Sequence, residues 1–371
     1  MRKDSYQTII NYLPASEDFS HPSDRRGVKM FCSRKKTFEI KSIDHKFIID
    51  KSQIIVFITP ANTDIISRLV YQFENNDSYK KRKLICIYID FYHGYKSNLY
   101  NLFTKFYRRI IYNRRNDFLE VSYKLMSLSN TLILGSDFQR DNLLTLYPFL
   151  KNKDIYVIPD YIEEIFQKNV KIKKIPDIQK KINILWEGIG YGALIPLLKL
   201  AFCSFLLKIK NINSKINFLT DPEISAYSRL TIPTKLVVNL LKLIGTDIQY
   251  KKWTKENLIE FSKKSDIAII TVNSLHPATK YKPANKIRLL LSLGLGLVLC
   301  PNLEDYLRFE KKYRRVISYS SIINCSKLLF NIFANRSKFK KLTNEKNKIY
   351  FNSIKYNLEI DEIWEKVLTI N

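Results

Sequence analysis

Residues 280–288 place four basic side chains around a proline and an asparagine, directly before an apolar run punctuated by glycines. The set is Lys280, Lys282, Lys286 and Arg288, with Pro283 and Asn285 between them. Proline is favoured at the start of a helix, so Lys286 and Arg288 are expected in the first turns of one. Cations there oppose the helix dipole, which favours a bound anion such as a diphosphate that they could stabilise without a metal. The alternative is a solvated basic loop in a lysine-rich protein.

Three glycines, Gly188, Gly190 and Gly192, lie between a strand-like apolar run and a helical pattern. Glycines at such a turn let the backbone approach a ligand closely, and the following helix N-terminus suits a phosphate. A dinucleotide fingerprint needs G-x-G-x-x-G and an acid about 20 residues further on, and the chain meets neither condition. This argues against a nicotinamide-dependent oxidoreductase. The alternative is a plain strand–helix turn that needs small residues.

The first half has a basic turn at a corresponding position, after its first strand-like segment. Arg25, Arg26 and Gly27 combine two guanidinium groups, which bind anions bidentately, with a flexible glycine. If the two halves face each other, we expect these residues to line the same cleft as the glycine turn. The alternative is a surface helix capped by Asp24.

Asp90 and His93 close another strand-like segment of the first half. Histidine is a natural general base near neutral pH, and a carboxylate can serve the same purpose. We therefore regard Asp90 and His93 as candidate catalytic residues. A purely structural histidine is the alternative.

The 371 residues include 62 Lys and Arg against 35 Asp and Glu, which gives a formal net charge of +27. Such a charge attracts nucleic acid, nucleotide phosphates or an acidic membrane surface, although a general compositional bias toward lysine accounts for part of it. Arginines and aromatic residues interleave over 105–115. That segment suits an anionic membrane, a nucleic acid or a partly solvated helix face.

Five cysteines without a C-x-x-C pair disfavour a disulfide framework and a zinc site, and fit a reducing cytosol. The chain has no Asp-x-Asp in a plausible loop and no other carboxylate cluster. We therefore expect no metal and no cofactor. We also expect no secretory signal and no membrane span, since the longest apolar stretch is shorter than about 20 residues. The expected location is the cytoplasm, with peripheral contact at the inner face of the cell membrane as an option.

Strand-like runs alternate with helical patterns in both halves, six runs in each. Near-continuous apolar runs are typical of parallel strands that are covered on both faces. The fold class is therefore predicted as α/β, with two doubly wound, Rossmann-like domains. The predicted organisation is an N-terminal domain at 1–165, a polar linker at 166–180, a C-terminal domain at 181–340 and a helical tail at 341–371.

Three segments together resemble bacterial glycosyltransferases of the GT-B architecture that build surface polysaccharides such as capsule and O-antigen. They are KPANKIRLLLSLGLGLVLCPN, KKWTKENLIEFSKKSDIAIITVN and SNTLILGSDFQRDNLLTLYPFLKNKDIYVIPD. The resemblance implies two facing Rossmann-like domains, with the nucleotide-sugar donor mainly on the second and the acceptor mainly on the first. It also implies that the C-terminal helix packs back on the first domain.

By the same resemblance, Lys282, Asn285 and Lys286 are donor-side positions, and the turn from Gly188 to Gly192 is phosphate-side. Many relatives carry a glutamate, which holds the nucleotide ribose, three residues after the lysine of N-K. This chain has Leu289 at that position. The substitution favours a second hypothesis, a catalytically degenerate scaffold of polysaccharide assembly.

The first hypothesis is a metal-independent glycosyltransferase that moves a sugar from a nucleotide sugar to a saccharide or lipid-linked acceptor. The basic stretch, including Arg288, would stabilise the departing nucleotide phosphate, and His93 or Asp90 would activate the acceptor hydroxyl. A third hypothesis, a nucleic-acid-binding protein, rests on charge alone, because no module for that purpose is recognisable.

Overall fold

The protein is described here by a computed structural model. It describes residues 8–13, 27–35, 38–42, 54–59, 63–77, 81–88, 118–167, 181–190, 192–225, 231–272, 277–313, 315–334 and 351–369. The chain divides into two compact units. The first unit consists of Met1–Tyr161, Tyr281–Pro283 and Lys355–Asn371, and the second consists of Ile162–Lys280 and Ala284–Ile354.

The first unit is built on a six-stranded sheet in which every strand pair is parallel. Its strands are β1 (Thr8–Leu13), β2 (Phe38–Ser42), β3 (Ile54–Thr59), β4 (Lys83–Tyr88), β5 (Thr131–Leu134) and β6 (Asp154–Val157), in the order β2-β1-β3-β4-β5-β6. All four side chains of β5 are buried. A central parallel strand is covered on both faces, which explains its unbroken TLIL sequence.

Five helices of the described residues belong mainly to the first unit. They are α1 (Val28–Arg34), α2 (Thr63–Asn75), α3 (Phe118–Leu128), α4 (Asp137–Leu146) and the C-terminal α11 (Ser353–Leu368). Helix α4 begins at a conventional cap, where Ser136 Oγ accepts a hydrogen bond from the backbone N–H of Gln139 at 3.2 Å. The side-chain amide of Gln139 spans the same turn, accepting from Gly135 N and donating to the carbonyl of Tyr281.

The C-terminal helix α11 packs in the core of the first unit, as expected. Trp364 is buried, and its ring lies 6.3 Å from that of Phe31 on α1. Asp361, on the same helix, is only 4% exposed. It accepts hydrogen bonds from the Arg34 guanidinium at 3.0 and 3.2 Å and from the Tyr161 hydroxyl at 2.7 Å. Burial, reinforced by this carboxylate, raises the pKa of Tyr161 well above its usual value.

The second unit has its own six-stranded parallel sheet and a two-stranded antiparallel ribbon of β9 (Glu223–Ile224) and β10 (Ile232–Pro233). The parallel strands are β7 (Lys181–Glu187), β8 (Asn213–Thr220), β11 (Asp247–Lys252), β12 (Ile267–Ile269), β13 (Leu297–Pro301) and β14 (Val316–Tyr319). Their order is β11-β8-β7-β12-β13-β14. The strand order therefore reverses between β7 and β12, and open α/β sheets bind ligands at the carboxyl ends beside such a reversal.

Six further helices of the described residues surround this sheet. They are α5 (Leu194–Ile209), α6 (Thr234–Leu243), α7 (Lys255–Lys264), α8 (Asn285–Ser292), α9 (Glu304–Lys312) and α10 (Ile322–Ala334). Helices α5, α6 and α10 contribute to one large apolar core with the strands, which includes Leu197, Val238 and Leu329. Helix α8 follows the reversal point and buries Ile287, Leu289 and Leu290.

All twelve strand-like segments of the sequence form strands of the two parallel sheets, so the α/β prediction is confirmed. The ribbon of β9 and β10 was not predicted, because two-residue strands leave no periodic pattern. Several predictions fall on residues outside those that the structure describes. These are Arg25, Arg26, Asp90 and His93, together with the basic segment 105–115 and most of the 166–180 linker.

Candidate functional site

The candidate site lies at the carboxyl end of β7, where the strand passes into the glycine turn and α5. Steric contacts explain two of the glycines. A Cβ on Gly190 would lie 2.1 Å from the carbonyl oxygen of Glu223, and one on Gly188 would lie 2.7 Å from the ring of Trp186. Gly192 has a φ of +77°, a conformation that favours glycine. The turn therefore needs glycine at all three positions.

Hydrogen bonds hold this turn against the loop that follows β8. Gly190 N donates to Asp221 Oδ2 at 2.6 Å, and Gly192 N donates to Ser225 Oγ at 3.3 Å. Gly188 N donates to the carbonyl of Leu219 at 3.0 Å. The backbone N–H groups of all three glycines thus already donate hydrogen bonds within the second unit. A phosphate at this edge would need donors from other groups.

Lys286, in the first turn of α8, supplies a positive charge at this edge. Its Nζ donates to the backbone carbonyl of Glu187 at 2.5 Å and lies 5.0 Å from the centre of the Trp186 ring. It also lies 3.0 Å from the position that a Cβ on Gly188 would occupy. The side chain of Lys286 remains 36% exposed. Its ammonium group is therefore held beside the glycine turn and is still accessible from solvent.

Glu187 is a buried carboxylate at the last position of β7, and is 8% exposed. Its Oε2 accepts a hydrogen bond from Trp253 Nε1 at 3.2 Å. Its Oε1 lies 3.4 Å from Lys286 Nζ but accepts no hydrogen bond from the described residues. A buried carboxylate oxygen in that state is costly unless a further group satisfies it. Glu187 and Lys286 thus form an ion pair in which Glu187 Oε1 can still accept a hydrogen bond.

The start of α8 is fixed by a second buried carboxylate. Asp305 Oδ2 accepts a hydrogen bond from Ala284 N at 2.6 Å, which stabilises the helix N-terminus that carries Lys286. Arg288 has partners of its own: its guanidinium lies 4.6 Å from the Phe309 ring centre and donates to Asn285 Oδ1 at 2.8 Å. Leu289 is 5% exposed, so its side chain packs inside the unit.

The structure brings some of the sequence-predicted residues together. Gly188 and Lys286 meet at the end of β7, and Asn285 and Arg288 lie on the adjoining helix α8. Lys282 is exposed and belongs with the first unit, and Gly27 immediately precedes α1. The predicted roles of these residues in donor binding and in lining a cleft stay predictions.

Three residues of the site were not singled out from the sequence: Glu187, Asp221 and Trp253. Glu187 had a usable signal, because an acidic residue that directly ends an apolar strand is unusual and precedes the glycine turn. Asp221 likewise follows the apolar run of β8. No such sequence signal marks Trp253, because its contact with Glu187 depends on where β11 lies in the sheet.

The described residues lack two kinds of feature. They contain no cluster of three or more histidine, cysteine, aspartate or glutamate side chains arranged to hold a metal ion. They also contain no helix with both the length and the apolar character needed to cross a bilayer.

Comparisons with solved structures place the fold. S. aureus TarM, whose crystal structures include a mutant in complex with UDP, matches with a TM-score of 0.51 at 13% identity over 88% of this chain and 57% of TarM. The lipopolysaccharide outer core galactosyltransferase WaaB matches with a TM-score of 0.50 at 12% identity, over 96% of this chain and 99% of WaaB. A glycosyltransferase from Rickettsia africae ESF-5 matches with a TM-score of 0.51 at 14% identity, over 98% of this chain and 99% of that one.

The fold is therefore that of the GT-B glycosyltransferases, as the sequence resemblance predicted. The chain spans little more than half the length of TarM. No protein-family model and no curated protein matches the chain.

Proposed function

We propose that the protein is a metal-independent glycosyltransferase that moves a sugar from a nucleotide-sugar donor to a saccharide or lipid-linked acceptor in surface polysaccharide assembly. The observation that carries the proposal is the placement of Lys286, an accessible cation fixed beside the glycine turn at the carboxyl end of β7. Structural similarity to TarM, which binds UDP, and to the galactosyltransferase WaaB supports a nucleotide sugar as donor.

The proposed chemistry depends on charge rather than on covalent catalysis. Breaking the bond between sugar and nucleotide leaves a negative charge on the departing phosphate, and a preorganised cation stabilises that charge. The carbonyl of Glu187 and the ring of Trp186 hold the Lys286 ammonium before any ligand arrives. Little reorganisation is then needed during the reaction. Lys282, Asn285 and Arg288 are proposed as additional donor-side residues, with Gly188, Gly190 and Gly192 forming the turn.

We propose that the acceptor binds to the first unit. Asp90 or His93 would accept the proton of the acceptor hydroxyl, and Arg25, Arg26 and Gly27 would line the acceptor side of the cleft. The proposed location is the cytoplasm, where nucleotide sugars serve as donors. No metal or cofactor is part of the proposed reaction.

A thermal-shift screen against UDP-, GDP-, dTDP-, ADP- and CMP-linked sugars tests the proposal. A ligand at about 100 times its dissociation constant stabilises the fold by about 2.7 kcal/mol, which a melting curve resolves easily. We expect one nucleotide class to raise the melting temperature and the corresponding donor to be slowly hydrolysed. A screen with neither stabilisation nor hydrolysis would contradict the proposal.

One observation favours a second candidate, a catalytically inactive scaffold with the same fold. Position 289 in α8 is a leucine whose side chain is buried. The helix therefore offers no carboxylate there to a nucleotide ribose. A scaffold of this kind would bind none of the nucleotide sugars in the screen. Donor binding without measurable transfer to any acceptor would indicate a protein that keeps the donor site but has lost the transferase activity.

A further inference from the structure

Helix α5 is apolar on every side. Only Lys199, Ser204 and Lys208 are polar among its sixteen residues. One face packs on the sheet through residues such as Leu197 and Leu200, which are fully buried. A helix of this composition is normally covered all round, in a protein core or by a membrane. Among the described residues of the second unit, however, the sheet and α10 cover α5 on the inner side, and the side turned away from them is exposed.

The uncovered side of α5 carries an apolar stripe at helical spacing. Its members are Leu198, Phe202, Phe205 and Ile209, each between 43% and 62% exposed. Helix α6 presents a similar stripe of Leu236, Leu240, Leu243 and Ile244, between 52% and 83% exposed. We refer to these eight residues as the outer apolar face.

The C-terminal ends of α5 and α6 lie close together. The Nζ of Lys208, on α5, lies 3.2 Å from the position that a Cβ on Gly245 would occupy, and Gly245 lies two residues beyond the end of α6. Because both helices also pack on the same apolar core, we treat their exposed apolar residues as one surface. Exposed apolar patches of this extent usually mark an interaction site.

The charges on the two helices identify the partner. Helices α5 and α6 contain four lysines, Lys199, Lys208, Lys235 and Lys242, and no aspartate or glutamate. Lys208, Lys235 and Lys242 are exposed. Lys199 donates to the carbonyl of Val272, and burial lowers its pKa. A second copy of the chain on this face would bring lysines against lysines, whereas a surface with an apolar interior and anionic headgroups complements both features.

We propose that the outer apolar face is a docking surface for an anionic lipid bilayer. The apolar side chains of α5 and α6 enter the headgroup region, and the lysines pair with lipid phosphates. The proposal concerns the exposed sides of α5 and α6 rather than the glycine turn, and it does not depend on the enzymatic activity. It assigns membrane contact to the second unit, whereas the sequence analysis offered it as one of three alternatives for segment 105–115.

Vesicle co-sedimentation of the full chain tests this surface. The vesicles are phosphatidylcholine alone, or two parts phosphatidylcholine to one part phosphatidylglycerol. We expect binding to the anionic vesicles, and a loss of about tenfold in partitioning for the triple variant F202Q, F205Q and L240Q, because membrane affinity scales with buried apolar area. The matched control is Y71Q, I354Q and L358Q, which changes three exposed apolar residues of α2 and α11, outside the outer apolar face, and should bind like the parent. Equal binding of both triple variants would overturn the proposal.

The net charge of +27 could produce adsorption without any docking face, so a readout of insertion is also needed. All five native cysteines are buried free thiols, and burial raises the pKa of Cys32 to about 12, so a new surface cysteine can be labelled selectively. An environment-sensitive dye on F205C should shift to the blue with anionic vesicles and keep that shift at high salt. The same dye on L358C should not respond. A response from neither position, or binding that disappears entirely at high salt, would overturn the proposal.

Light scattering of the parent and the F202Q, F205Q, L240Q variant gives a further decisive result. The proposal expects the same oligomeric state for both. A parent dimer that dissociates in the variant would show that the face joins copies of the chain, which would overturn the membrane assignment. Nucleotide binding measured on the same variant should be unchanged, so that failure of this proposal stays distinct from failure of the proposed enzymatic function.

Discussion

Each unit of the protein buries one carboxylate against a cation and an aromatic donor, but the two clusters differ in how completely they are satisfied. In the first unit, both oxygens of Asp361 accept hydrogen bonds, two from Arg34 and one from Tyr161. In the second, Glu187 accepts from Trp253 through one oxygen, and the other, near Lys286, accepts no hydrogen bond from the part of the chain that the structure describes.

This difference separates a structural cluster from a candidate site. Both oxygens of Asp361 accept at least one hydrogen bond, and the cluster joins α11 to α1. The Glu187 cluster lies at a strand end beside a glycine turn, and its cation is accessible. Incomplete satisfaction of buried polar groups tends to mark functional positions, since a fold gains stability by completing such networks.

The largest effect on stability is expected for Asp361→Asn. It removes the negative charge that faces the largely buried Arg34 guanidinium, and breaking a buried pair in this way costs about 3 kcal/mol. Denaturant unfolding followed by circular dichroism should show an earlier transition. The control is Glu365→Gln on the same helix, whose carboxylate is exposed in its pair with Lys35 and whose change should leave the midpoint in place. Equal midpoints for the two variants would contradict the structural role of Asp361.

The next largest loss of stability is expected at Gly190, and a substitution at Gly135 provides the comparison. Gly190→Ala puts a methyl group 2.1 Å from a backbone oxygen, so the turn must shift, at a cost of about 2 kcal/mol and with loss of nucleotide binding. Gly135→Ala, in the capped turn before α4, meets only side-chain atoms, the closest at 3.2 Å, and should cost less than about 1 kcal/mol. Differential scanning calorimetry of the two variants gives the comparison. A Gly190→Ala protein as stable as the parent would show that the turn adapts freely.

The smallest effect is expected for Glu187→Gln. It keeps an acceptor for Trp253 but removes the negative charge that competes with a ligand for Lys286. We expect a stability change of less than about 1 kcal/mol and a rise of about threefold in nucleotide diphosphate affinity, because an anion no longer approaches a carboxylate. Isothermal titration calorimetry measures the affinity. A strong fall in affinity would instead indicate that Glu187 itself contacts the ligand.

Much of the fold could be predicted from the sequence, because parallel strands covered on both faces leave continuous apolar runs such as TLIL and LVLC. The cap of α4 is equally local, since Ser136 and Gln139 are three residues apart. The site is different. Lys286 meets Glu187 from 99 residues away, and Asp221 meets Gly190 from 31. Those contacts follow from the order of strands in the sheet, which no local pattern specifies.

The outer apolar face illustrates the same limit. The apolar content of α5 is obvious in the sequence, where it argued only against a membrane span. The position of α5 on the sheet is what shows that Leu198, Phe202, Phe205 and Ile209 are exposed.

The most direct test of the central claim is a titration of the parent, Lys286→Ala and Lys311→Ala with the nucleotide diphosphate that the thermal-shift screen selects. Lys311 is an exposed lysine of α9, so its removal lowers the net charge equally. If Lys286 holds the phosphate, Lys286→Ala should weaken binding at least about tenfold and slow donor hydrolysis about 100-fold, while Lys311→Ala behaves like the parent. Affinities of the two variants within about twofold of each other would contradict the account.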